Sequence, residues 1–152
     1  MSRENVETMR SIIALMNAGD MRAVAEFFCA DAEWRDLAHA PDTPEVLLGI
    51  EAILAAGEQW TQVFDEFKAE VYEYIDAHPW VVRDTHWYGT GRGSAVRVNL
   101  RQADAYEFKG GKVARVVLAY PDVATAPRDE GAPVKHVRAR GPRCAWAFER
   151  PG

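Results

Sequence analysis

Apolar residues recur every three to four positions at the start of the chain: Val6, Met9, Ile13 and Met16, with Ile12 and Leu15 widening the stripe. That period predicts an amphipathic helix from Glu4 to about Ala18. Asn17-Ala18-Gly19-Asp20 supplies a helix stop and a fresh N-cap. A second, short helix is expected from about Met21 to Phe28, burying Val24, Phe27 and Phe28, with Asp31-Ala32 breaking it. Glu33-Trp34-Arg35-Asp36 then reads as a short strand or extended segment. Residues 39–48, with Pro41 and Pro44, read as a loop. Gly49 opens a third helix whose buried side carries Ile50, Ile53, Leu54, Trp60 and Phe64.

Beyond this point the period changes to two. Phe67, Ala69, Val71 and Ile75 share one parity, with Glu73 among them, and Tyr72 and Tyr74 share the other. Asp76-Ala77-His78-Pro79 turns the chain. Trp80 to about Tyr88 is the next strand, ended by Gly89, Gly91 and Gly93. Ala95 to Phe108 is a long strand, Lys109-Gly110-Gly111-Lys112 a hairpin turn, and Val113 to Tyr120 the last strand before Pro121. Helices first and an antiparallel meander afterwards define an α+β fold. A sheet that long curls, and three helices can close its concave face. Residues 1–123 are expected to form this domain, and 124–152 a Pro- and Arg-rich tail in which Cys144-Ala145-Trp146-Ala147-Phe148 could be a short strand or an anchor.

The 152 residues suit one domain with one core, and 27% charged residues are ordinary for a globular chain. No apolar run approaches the ~20 residues of a membrane span, and the first ten residues lack a signal-peptide core. A cytoplasmic location without membrane contact is expected. Cys29 and Cys144 read as isolated thiols, and no Cys/His cluster has metal-ligand spacing. The net charge of −5 argues against nucleic acid as a partner. From Arg128 onward six basic residues face three acidic ones, a balance of +3, so the remainder carries −8. A basic tail on an acidic body is expected to fold back on that body or stay solvated. No nucleophile elbow or phosphate-binding loop is present, since Gly89-Thr90-Gly91-Arg92-Gly93 sits between strands.

Two carboxylates carry the candidate chemistry. On the long strand Val96, Val98, Leu100, Gln102, Asp104, Tyr106 and Phe108 share a face, so Asp104 lies on the mainly apolar side. A carboxylate there must be paired, be wetted, or hold its proton. A protonated carboxyl could donate a hydrogen bond to an oxyanion. On pattern alone the structural reading comes first: an Asp near a sheet end that bonds backbone amides or an Arg. Asp36 shares a side with Trp34, which suits a general base beside an aromatic wall; the competing reading is an Asp that caps the following turn. Among weaker candidates, His39 could assist Asp36. Asp84, His86 and Tyr88 share one parity, and Arg83, Thr85 and Trp87 the other; either set could line a pocket or face a partner subunit. Trp60, Trp80, Phe64 and Phe67 are expected to pack the core.

The stretch from Asn17 to Asp20, then Phe28-Cys29-Ala30-Asp31-Ala32-Glu33-Trp34-Arg35-Asp36, resembles the opening of ketosteroid isomerases and SnoaL-like polyketide cyclases. So does Ala103-Asp104-Ala105-Tyr106-Glu107-Phe108 followed by Gly110-Gly111-Lys112-Val113. The resemblance covers roughly residues 4–122 and implies the nuclear transport factor 2-like fold, a cone-shaped curved sheet with packing helices. Carried over, Asp36 matches the isomerase general base and Asp104 the aspartic acid of its oxyanion hole. The family's oxyanion tyrosine falls at Ile12, which cannot donate, and the last-strand acid of other relatives is absent from Val116-Val117-Leu118-Ala119. Tyr106, one pleat from Asp104, could replace the missing tyrosine. Trp34, Ile12, Trp60, Tyr106 and Leu118 are the expected pocket lining. The leading expectation is a cofactor-free, metal-free enzyme in which Asp36 takes a proton beside the carbonyl of a small hydrophobic molecule, leading to isomerisation or ring closure. The alternatives are a non-catalytic ligand-binding module and a dimerisation module, and a homodimer through the outer sheet face is compatible with any of them.

Overall fold

The computed structural model describes residues 2–38, 44–126 and, as backbone alone, 135–138. The expectations placed on His39, on Cys144 to Phe148 and on most of the 124–152 tail lie outside the described residues. The chain runs α1 (Ser2–Asn17), α2 (Met21–Ala25), β1 (Phe28–Asp36), β2 (Val46–Leu48), α3 (Ile50–Val63), β3 (Lys68–Ala77), β4 (Trp80–Thr90), β5 (Arg97–Lys109), β6 (Lys112–Tyr120) and β7 (Lys135–Arg138). This is the expected α+β order, a curved sheet with three helices.

The strands form one sheet in the order β2-β1-β6-β5-β4-β3-β7. All neighbours are antiparallel except β1 and β6, which run parallel. The expectation of a wholly antiparallel sheet is corrected there. The physical reason is the α1–α2 entry, which delivers β1 to the end where β6 begins, so that the Val113 amide donates to the Phe27 carbonyl at 2.8 Å. That same start takes Phe28 out of α2 and into β1. The helix ends at Ala25, and Phe28 is already paired with Val113. In the tail, 135–138 add a seventh strand to the edge of β3.

Helix α1 lies where its stripe predicts. Val6, Met9, Ile12 and Ile13 are buried against the sheet. Its end is fixed twice. Gly19 takes a positive φ that closes the last turn, with its amide bonded to Met16 and that of Asp20 to Leu15. The Asn17 side chain exchanges two 2.8 Å hydrogen bonds with the backbone of Ala69, tying the helix to β3. Asp20 then caps α2 by accepting from the Ala23 amide.

Two irregularities decide which side chains face the helices. The β3–β4 register shifts between Val71 and Glu73. Residues after the bulge change face, so Tyr74 joins the main core while Ile75 packs on the other side with Val82, Ala103 and Ala105. The expected sharing of one face by Val71 and Ile75 is corrected by this extra residue. The β5–β6 register shifts between Ala103 and Ala105, opposite Leu118 and Ala119, and Ala119 sits at a φ of 69°.

Candidate functional site

The main core unites Ile12, Tyr106, Leu118, Met9, Val113 and Val116, with Trp34 packed against it. Four of the five expected pocket-lining residues are thus gathered on the concave face, where they form a packed interior. Trp60 is the exception. It is 45% exposed near the end of α3 and stacks on Phe64 and Phe67, centroids 5.3 and 5.1 Å away. Its position on α3 turns it toward those rings, so its assignment to the pocket wall is corrected.

Asp36 and Asp104 come from strands that flank β6. Asp36 pairs in register with Leu118, and Asp104 lies opposite the Leu118–Ala119 bulge. Two strand spacings separate their backbones, about 10 Å. Both side chains follow the parity of inward-facing neighbours, Trp34 and Tyr106, whose rings meet edge to face at 6.4 Å.

Their surroundings differ. Asp36 is half-buried at the end of β1, where its Oδ1 accepts from the Ala38 amide at 2.9 Å. This is the turn-capping geometry, and it leaves Oδ2 without a partner among the described residues. The strand end is held on both sides: the Asp36 amide donates to Glu45 and the Leu37 amide to Leu118.

Asp104 is 0% exposed. Its Oδ1 accepts from Gln102 Nε2 at 2.7 Å and from the Ala119 amide at 3.2 Å; its Oδ2 accepts from Trp87 Nε1 at 3.0 Å and Arg83 Nε at 3.4 Å. Arg83 Nη2 lies a further 3.4 Å from Oδ2. Every neighbour is an N–H donor, so the carboxylate acts as acceptor. The expected role of a protonated oxyanion donor is corrected on that ground. Asp104 takes the Arg-paired, amide-bonded role, and it also pins the Ala119 bulge.

Arg83 is the residue that sequence reasoning left among two undecided sets. It is fully enclosed on β4, directly opposite Asp104 in the β4–β5 register. Its guanidinium carbon lies 4.7 Å from the Tyr106 ring centroid and 5.3 Å from that of Trp87. Nη2 donates to the Tyr106 hydroxyl at 2.8 Å. Burial pushes the Tyr106 pKa well above the ordinary tyrosine value, against a smaller opposing pull from Arg83. Burial raises the Tyr74 pKa too, again opposed by Arg83. Tyr106 therefore keeps its proton.

The other set faces outward. His86 stacks between Tyr72 and Tyr88 and contacts the Tyr72 hydroxyl and Asn99 Oδ1, while Asp84 takes a two-pronged pairing from Arg101. Glu66, Glu70, His86, Tyr88, Arg97 and Asn99 help line an open cleft of about 440 Å³ on this side. Among the described residues no cluster of His, Cys, Asp or Glu could hold a metal ion, and no helix is long and apolar enough to cross a membrane.

With the geometry in view, the comparisons define the class. The SnoaL-like domain family matches residues 9–116, and the chain belongs to that family. Solved structures agree on the fold. Bal32a from a soil-derived mobile gene cassette is 24% identical with a TM-score of 0.69, over 77% of this chain and 88% of its own. A cystatin-fold protein from Novosphingobium aromaticivorans is 22% identical with a TM-score of 0.66, over 79% and 99%. A protein of ketosteroid isomerase-like fold from Catenulispora acidiphila, in complex with trimethylamine, is 16% identical with a TM-score of 0.66, over 75% and 85%. No curated protein sequence matches the chain.

Proposed function

We propose that this SnoaL-like protein is a proton-transfer enzyme of isomerase or cyclase type, acting on a small hydrophobic carbonyl compound with Asp36 as general base. The observation that carries the reading is Asp36, half-buried with its Oδ2 unpartnered among the described residues, on the face that also holds Trp34 and Tyr106. Asp36 Oδ2 takes the proton from the carbon beside the carbonyl. The C–H electron pair becomes the C=C bond of an enolate, and the carbonyl π pair moves to oxygen. Returning the proton to a different carbon isomerises a double bond; attack of the enolate carbon on a second carbonyl closes a ring. Neither outcome needs a cofactor.

Asp104, with all its neighbours donors, supports the second reading: a ligand-binding module in which the buried acid is structural. Deuterium incorporation into cyclic ketones and 1,3-diketones in heavy water separates the two. An enzyme exchanges the α-protons, and Asp36→Asn slows this by about 10²–10⁴-fold, the worth of a positioned base. Binding without exchange, or exchange indifferent to Asp36→Asn, would establish the module reading instead. In either case a homodimer through the outer face is proposed, supported by the exposed Tyr88 ring beside an open cleft on that face.

A further inference from the structure

The chain beyond β6 starts out on the outer face of the sheet. Val123 and Ala126 pack there with Ile75, Val82, Ala103 and Ala105. Residues 135–138 then join the edge of β3, antiparallel to it, with Lys135 opposite Asp76 and Arg138 opposite Glu73. Two acids of β3 are thus each met in register by a basic residue, and opposite charges at directly opposed positions favour strand pairing. Asp76 Oδ1 is itself buried without a hydrogen-bond partner among the described residues, an unmet acceptor on the strand that the tail joins. The antiparallel direction carries the chain from Arg138 toward the start of β3. The next acids that way are Glu70, directly opposite His86, and Glu66 just before the strand. Both line the open cleft of about 440 Å³ beside His86 and Tyr88. Neither has an ion-pair partner among the described residues.

We propose that residues 139–152 of the same chain seat in this cleft, so that the basic tail straps the outer face from the Ala126 end to the Glu66 end. Reach is ample. Glu70 lies three residues beyond Glu73, about 10 Å along the strand, whereas the 14 residues from 139 to 152 can span about 46 Å. Charge agrees: the segment carries Arg140, Arg143 and Arg150 against Glu149. Two cations share the surface, Arg97 in the lining and Lys68 opposite Tyr88 in register, so Arg140 and Arg143 are directed to the two glutamates rather than to the cleft at large. Trp146 and Phe148 bring apolar surface for the Tyr88 ring, which is 38% exposed. The inference is independent of the inner-face reaction. A homodimer through the outer face would close over the seated tail.

The test is limited trypsin digestion of the full chain, with cleavage after Arg140 and Arg143 followed by mass spectrometry and rates normalised to a small peptide substrate. Seating protects these bonds. Glu66→Gln/Glu70→Gln is expected to speed their cleavage about fivefold, the worth of two exposed ion pairs. High salt is expected to speed it in wild type and to change little in the double variant. Glu26→Gln, at an exposed acid outside the cleft, leaves the rate unaltered. If the double variant lacks a native circular dichroism spectrum, Glu66→Gln alone, at an exposed position, decides. Cleavage in wild type as fast as in a synthetic peptide of residues 139–152, or equal rates in wild type and the folded variant, overturns the proposal. Protection that strengthens with protein concentration would assign the tail to a second copy and overturn its placement on its own chain.

Discussion

Removing Asp104 strands the charge of Arg83 in a dry interior. Breaking a buried pair from one side typically costs about 3–5 kcal/mol, whereas replacing both members with apolar residues of similar volume costs little. Urea denaturation of Asp104→Ala is therefore expected to show a loss of that size, and the double variant Arg83→Met/Asp104→Leu to regain most of it. Tyr106 gives a pH signature. Its folded pKa is raised by burial, so the stability it contributes is complete below the unfolded tyrosine pKa of about 10 and declines as pH rises toward the folded value. Stability measured on the alkaline side should fall in wild type and fall less steeply in Tyr106→Phe, with Tyr74 contributing the residual slope. Parity alone put Asp104 on the apolar face. Its partner was illegible, because Arg83 meets Asp104 only through the β4–β5 register, and the irregular 91–96 connection hides that register from a reading of periodicity.

Among the elements, the helices and the β3–β6 meander follow from periodicity, while the bulges and the strand β2, which lies inside the stretch read as a loop, do not. One inserted residue near Tyr72 moves Tyr74 inward beside Arg83, and no apolar pattern announces it. The Ala119 bulge is likewise unmarked, since alanine is a poor advertisement for a positive φ. Strain there is about 1–2 kcal/mol, partly offset in a glycine by unfolded-chain entropy, so Ala119→Gly should range from no change to a gain of about 1 kcal/mol. Thermal unfolding checks this; a clear loss would mean that the Ala119 side chain packs more than its conformation costs. Gly89 makes the opposite demand. A Cβ there would lie 2.8 Å from the Glu66 carbonyl oxygen and 2.9 Å from the Phe67 ring, and a backbone atom cannot step aside cheaply. Gly89→Ala is expected to cost about 1–3 kcal/mol in the same assay.

For the whole molecule, the sheet separates two candidate surfaces. The inner face carries the acids, Arg83 and Tyr106 under a lid of helices; the outer face carries the His86 ladder, the Arg101–Asp84 pair and an open cleft. A meander of four strands after three helices was enough to read the architecture; family resemblance singled out both acids but not the Arg83 partner of Asp104. The parallel β1–β6 pair and the strand β7 were not legible, because both depend on contacts distant in sequence. At micromolar concentration the proposed outer-face association should appear as a dimer in sedimentation velocity; a monomer throughout would exclude it.

The most direct test of the inner-face account is amide chemical-shift mapping with a naphthol-type enolate mimic. The account predicts that the largest shifts fall on Trp34, Tyr106, Leu118 and Ala119, around the rung shared by the two acids. Shifts concentrated on Glu70, His86 and Asn99 would place the binding surface in the outer cleft and contradict it.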